Sequence, residues 1–149
     1  MNEEIEDILY REQITLASTS KRAVAFFIDE LLLSFLLVLA LWDTFAAAKD
    51  VQEMIAVTNM FVLEFLSIKI IYQAFFIMQY GASLGKLIMR IHVIEIATLE
   101  NPSVISALNR AIFRIVSEMF LYLGFLWAFF DPARQAWHDK TAKTLVVDA

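Results

Sequence analysis

No cysteine occurs among the 149 residues, which hold only three glycines, two prolines and two histidines. Without cysteine there is no disulfide framework and no thiolate metal site. So few glycines and prolines exclude a turn-rich sheet protein, whose tight hairpins need left-handed or φ-locked residues. His92 and His138 have no ligand spacing between them, so no metal site and no cofactor is expected. Positive charge is scarce as well: 12 Lys and Arg against 17 Asp and Glu leave a formal charge of -5. The basic residues are scattered, and phosphate-backbone binding needs a basic face, so no nucleic-acid partner is expected. What the chain has in plenty is apolar surface. Sixty per cent of the residues are hydrophobic, including 13 Phe, 3 Trp and 4 Tyr, and the mean hydropathy is +0.64. One soluble domain of this length has too little polar surface to cover that much apolar area. The composition therefore describes an all-α integral membrane protein whose first partner is the lipid bilayer.

The first twenty residues are polar, and Ile5, Ile8 and Leu9 give them at best a weak apolar face; they read as a short cytoplasmic arm ahead of a single membrane domain, 21–149. From Ala23 to Trp42 the chain is apolar except for Asp29, Glu30 and Ser34. That is enough helix, at about 1.5 Å per residue, to cross a hydrocarbon core of about 30 Å. Lys21 and Arg22 precede it and Trp42 closes it, as the positive-inside rule and an interfacial aromatic anchor require. A cleaved signal peptide is rejected, because the acidic pair inside the apolar stretch and the long polar lead are both wrong for one. The loop Asp43 to Glu53 is acidic and reads as external. A second full span runs from Met54 to Tyr80. Beyond it, Arg90 to Ile96 alternates apolar and polar residues like a half-buried strand, and Thr144 to Asp148 is a second short strand able to pair with it.

A third apolar helix starts at Asn101-Pro102-Ser103, with Ser103 or Asn101 as its N-cap, and ends at Asp131-Pro132. Three full spans would leave the basic tail outside, against its charge. The stretch from Ser103 to Phe130 is therefore expected to be a re-entrant or broken hairpin turning near Tyr122 to Gly124, with the two strands forming a short cytoplasmic β element.

Ionisable groups within a span cost on the order of 3 kcal/mol each, so Asp29, Glu30, Glu64, Lys69 and Glu118 need partners or water. Arg22 lies about 10 Å from Asp29 along the helix and snorkels to the surface. Lys69 is the nearest cation in depth, so a pair between it and Asp29 or Glu30 is expected. Glu118 shares a helical face with Arg110 and Arg114 and is expected to use an arginine. Asp29, Glu30, Glu64 and Lys69 are the candidate residues of an ion or proton path; the competing reading makes them pairs that fix helix register.

Gly81-Ala-Ser83-Leu-Gly85-Lys86 is not a phosphate loop, being one residue short, lacking the Ser or Thr that would hold magnesium, and following no strand. No nucleophile with a partner base stands out, so no enzyme and no catalytic residue is expected. Three separated segments do form a constellation: Lys21-Arg22 through Asp29, the loop motif with Gly81, Ser83, Gly85 and Lys86, and Phe130-Asp-Pro through Asp139 to Val147. In this order they resemble the RDD family over roughly residues 20 to 148, with Arg22, Asp29 and Asp139 as its signature arginine and two aspartates. Lys143 stands where the family usually has glycine. The resemblance implies a membrane domain of bacteria and archaea, with some relatives linked to sodium or proton exchange, and brings no catalytic activity.

On that basis the chain is expected to be a multi-pass module of a bacterial inner membrane with a cytoplasmic N-terminus. It would serve as an accessory subunit binding other membrane proteins or further copies of itself. A small cation/proton antiporter is the alternative. A weaker idea is lipid binding by Lys86, Arg90, Arg110 and Arg114. Arg22 and Asp139 are expected to touch, because the hairpin returns Asp139 to the mouth of the first span.

Overall fold

In the computed structural model, which describes residues 3–149, the polar arm is not loose. Glu3–Arg11 form helix α1, which buries Ile5 and Ile8. Its acidic first turn, Glu3, Glu4 and Glu6, suits the positive end of a helix dipole. Ile5 joins Ile94, Ala133, Leu145 and Val147 in an apolar cluster, so three apolar residues are enough to dock the arm. Met1 and Asn2 lie outside the described residues.

Helix α2, Thr19–Ala40, begins at Ser18, whose hydroxyl accepts the N–H of Lys21. Helix α3, Trp42–Ala46, and helix α4, Val51–Met60, follow, and neither buries a residue. Helix α5 runs Val62–Tyr80. The span expected from Met54 to Tyr80 is thus two helices, broken at Phe61, where the backbone leaves helical geometry without a proline or glycine to announce it. Helices α2 and α5 are both long and apolar enough to cross a membrane.

Gly81 closes α5 in the left-handed conformation at φ 69°, and Ser83 caps the short helix α6, Leu84–Ile88. Strand β1, Ile91–Glu95, pairs antiparallel with β2, Thr144–Asp148, setting Ile91 opposite Asp148 and Glu95 opposite Thr144. On the other edge of β2, Leu16 bridges Val147. Ala17 donates to the Val146 carbonyl and Asp148 to that of Thr15, so residues 15–17 act as a third, minimal strand.

Between the strands come α7, Val104–Met119, capped by Ser103, one of the two caps the sequence offers, then α8, Leu123–Phe130, and α9, Trp137–Ala142. The axes of α7 and α8 meet at 103°. The third apolar element is therefore broken, with its joint at Phe120–Tyr122, overlapping the expected Tyr122–Gly124 at Tyr122. Leu121 and Tyr122 both take positive φ, 56° and 63°. Gly124 sits where a Cβ would run into the Ser117 side chain, so α8 presses against α7 immediately beyond the joint. The packed interior lies at one end of the molecule, where Ala17, Ala25, Ile77, Ile91, Val93, Ala107 and Val146 form the main apolar cluster.

Candidate functional site

Asp139 is fully buried, and α9 presents it to two arginines. Arg22 from the first turns of α2 approaches one carboxylate oxygen at 2.5 Å, and Arg110 from α7 binds the other. The contact between Arg22 and Asp139 expected from the sequence is present. The carboxylate also accepts the N–H of Ala136 at 2.9 Å, and Arg110 reaches Thr144 at the start of β2. Arg22 donates as well to the carbonyl of Arg134, whose own guanidinium binds the carbonyls of Leu16 and Ala17. One acid thus ties α2, α7, α9 and the sheet together. Burial opposes its ionisation, but Arg22 and Arg110 outweigh burial and hold the Asp139 carboxyl well below its ordinary range. The neighbouring His138 is also buried; that burial, with three nearby arginines, keeps it neutral by pushing its pKa well down, against the pull of Asp139.

Asp29, two turns along α2 from Arg22, is equally inaccessible. It does not pair with Lys69. Its carboxylate accepts from the Tyr72 hydroxyl at 2.8 Å, the Ser83 hydroxyl at 2.6 Å and the Gly85 N–H at 2.9 Å. Three donors stand in for a counter-ion, which is how a buried carboxylate is satisfied without one. Gly85 is required here, because a Cβ would run into the Ala25 carbonyl of α2 and crowd Asp29 itself. The loop motif is therefore the clasp of Asp29: Ser83 and Gly85 hold it, while Gly81 makes the turn that brings them there.

Lys69 is engaged by Glu30 at 3.0 Å and by Glu118 at 2.7 Å. The expected pair with α2 is thus made by Glu30. Glu118 takes the lysine rather than an arginine because α5 packs directly on α7, while Arg110 is drawn to Asp139 and Arg114 turns to aromatic rings. Glu64 is exposed near the start of α5 and has no ion pair or side-chain hydrogen bond among the described residues. Of the four candidate path residues, Glu30 and Lys69 come together, Asp29 sits in a separate clasp, and Glu64 faces outward.

A cavity of about 280 Å³ lies between α2, α8 and α9, lined by Arg22, Lys86, Arg114, His138 and a set of aromatic and aliphatic side chains. Lys86 is 7% exposed and Arg114 6%. Burial, reinforced by Arg114, lowers the Lys86 ammonium to a pKa of about 7, against the opposing pull of Asp29. Arg114 lies over the rings of Phe26 and Phe125, at 5.5 and 5.7 Å. Among the described residues no group of three or more His, Asp or Glu is arranged to hold a metal ion.

Tyr72 and Arg110 are site residues that the sequence did not single out as such. Tyr72 lies three residues beyond Lys69, one helical turn on, and that spacing was the available signal. Arg110 precedes Arg114 by four, which marks a shared basic face without naming its acid. A family model described as the RDD family matches residues 16–143, most of the chain. No curated protein and no solved structure matches it.

Proposed function

The chain belongs to the RDD family, and from that premise we propose that it is a multi-pass module of a bacterial inner membrane, acting as an accessory subunit for other membrane proteins or for further copies of itself, without enzymatic activity. Its polar end, with α1 and the β1–β2 sheet, faces the cytoplasm, where Lys21, Arg22, Arg90, Arg134, Lys140 and Lys143 all gather. The observation that carries the partner reading is Glu64. It is an exposed ionisable residue on a helix able to cross a membrane, with no ion pair among the described residues. A carboxylate against hydrocarbon is costly and is covered in practice by protein or water. The exposed polar residues of α4 just before it, Gln52, Thr58 and Asn59, extend the same need.

A photo-crosslinking residue placed at position 64 and expressed in cells is expected to give a discrete adduct, either a dimer or one partner, that the same residue at Leu31 does not give. Equal, diffuse lipid labelling at both positions would sink the partner reading. Single cysteines at Ala47 and Ala149, in a chain with no other cysteine, test the topology: Ala47 should label from outside and Ala149 from inside.

The second reading, a cation/proton antiporter, is favoured by one observation. Glu30 and Glu118 share the single ammonium of Lys69, leaving one carboxylate charge in excess. Under that reading, Glu30→Gln abolishes ion-dependent pH change in proteoliposomes while the protein stays folded. An Asp29→Asn variant that retains exchange would place the exchanged ion at Lys69 and not in the loop clasp.

A further inference from the structure

Four cations cluster around the foot of α2: Arg22, Lys86, Arg110 and Arg114. Two acids, Asp29 and Asp139, lie among them, so cations exceed acids by two. Asp139 absorbs Arg22 and Arg110. Asp29 is taken by three uncharged donors. What remains is Lys86, whose ammonium has no ion pair or hydrogen-bond acceptor among the described residues, and Arg114, whose Nη1 is buried without an acceptor. Both line the same cavity, and no Asp or Glu lines it. A buried cation without an ion pair is costly, and Asp29, already held by three donors, offsets Lys86 only in part, so Lys86 and Arg114 facing one void constitute a site built for an anion.

The rest of the wall says what the anion is attached to. Phe27, Leu126 and Phe129 line the cavity and are also largely exposed on the outer surface, Phe27 at 64% and Phe129 at 59%. The cavity is thus cationic at its floor and opens between apolar side chains. At about 280 Å³ it is at the small end of ligand sites, sized for a headgroup and not for acyl chains. It also lies beside Arg22 at the start of a helix able to span a bilayer, which is headgroup depth.

We propose that this cavity is a binding site for a net-anionic phosphate headgroup of a membrane phospholipid, with Lys86 and Arg114 contacting the phosphate and Phe27 and Phe129 flanking the start of its chains. The proposal rests on the membrane reading above and goes beyond it. It also narrows the basic residues that serve lipid: Arg90 is exposed and does not line the cavity, and Arg110 is committed to Asp139.

The test uses the full chain purified in a non-ionic detergent, with thermal unfolding followed by tryptophan fluorescence. Phosphatidylglycerol is expected to raise the Tm by several degrees at concentrations where zwitterionic phosphatidylcholine and inorganic phosphate do not. Lys86→Met, which removes an unpaired charge, is expected to fold with a lipid-free Tm at least equal to that of the parent and to need at least tenfold more phosphatidylglycerol for the same shift. Arg114→Gln should weaken the lipid response in the same direction. Equal shifts with both lipids, an unchanged response in Lys86→Met, or inorganic phosphate as effective as lipid would each overturn the proposal. If the chain instead leaves the membrane fraction on washing with alkaline carbonate, the membrane reading fails separately, whatever the lipid preference.

Discussion

Residues 42–68 and the polar end of the molecule are built on opposite terms. Around Asp139 and Asp29, nearly every charged group is buried and each carboxylate oxygen has a donor from another element of the chain. In α3 and α4 no residue is buried, and Glu64 finds no ion pair among the described residues. The first region is held by its own side chains. The second leaves its side chains outward, because its helices satisfy only their backbone, and lipid or another protein covers them under the function proposed above. Polar networks within one chain carry a large penalty for partial loss, whereas an outward face is energetically almost silent until its environment is supplied.

That contrast can be broken at several points. Asp139→Asn should have the largest effect, since it leaves Arg22 and Arg110 buried without their acid; a loss of about 3–5 kcal/mol is expected, read as unfolding in detergent. Asp29→Asn loses one charge-assisted acceptor among three donors and should cost about 1.5–3 kcal/mol on the same scale. A smaller effect at either site would mean that the polar end is not the self-sufficient half.

Acidity sharpens the same contrast. Lys86 has a folded pKa of about 7 against its ordinary 10.5, so between these values the unfolded chain binds more protons and stability rises with pH. The lipid-free protein should gain stability from pH 7 to about pH 10, and Lys86→Met should flatten that rise; Arg22, Arg110, Arg114 and Asp29 are the charged groups acting on this lysine. Lys143→Gly should stabilise by about 0.5–1 kcal/mol, because Lys143 caps α9 at φ 56° and ψ 52°, a conformation glycine adopts without strain. Glu64→Gln should change the stability of the isolated chain by less than about 0.5 kcal/mol. A larger loss there would show that the outer region depends on an internal contact.

Much of the frame is legible in the residues. The alternation in Ile91–Glu95, the Ser103 cap and the apolar run of α2 carry local signals that tertiary packing does not override. The contact between Arg22 and Asp139 is legible too, because the family resemblance singles out both residues and the basic tail favours a turn in the third apolar element that brings them together. Other features depend on the assembled fold. The break at Phe61 has no proline or glycine beside it. Docking of α1 rests on a few apolar residues that matter only once the sheet exists. Asp29 chose hydroxyls and a backbone N–H over a lysine, and a choice among donors at similar depth is made by geometry that helical spacing does not contain. Lys143 is the reverse case: its departure from the family's glycine marked the turn, and the left-handed backbone there supplies the reason.

The pairing of residues distant in sequence also sets an order of events. Arg22 lies 117 residues from Asp139, and Lys21 lies 127 from Asp148. At about 5–20 residues per second, a ribosome needs about 6–23 s to make the first of these intervals. During that interval α2, the clasp around Asp29 and the Lys69 contacts can all form, while Arg22 and Arg110 wait without their acid. The β1–β2 sheet closes only when Thr144–Asp148 has been made, so the polar end is a latch that engages after the helices are in position.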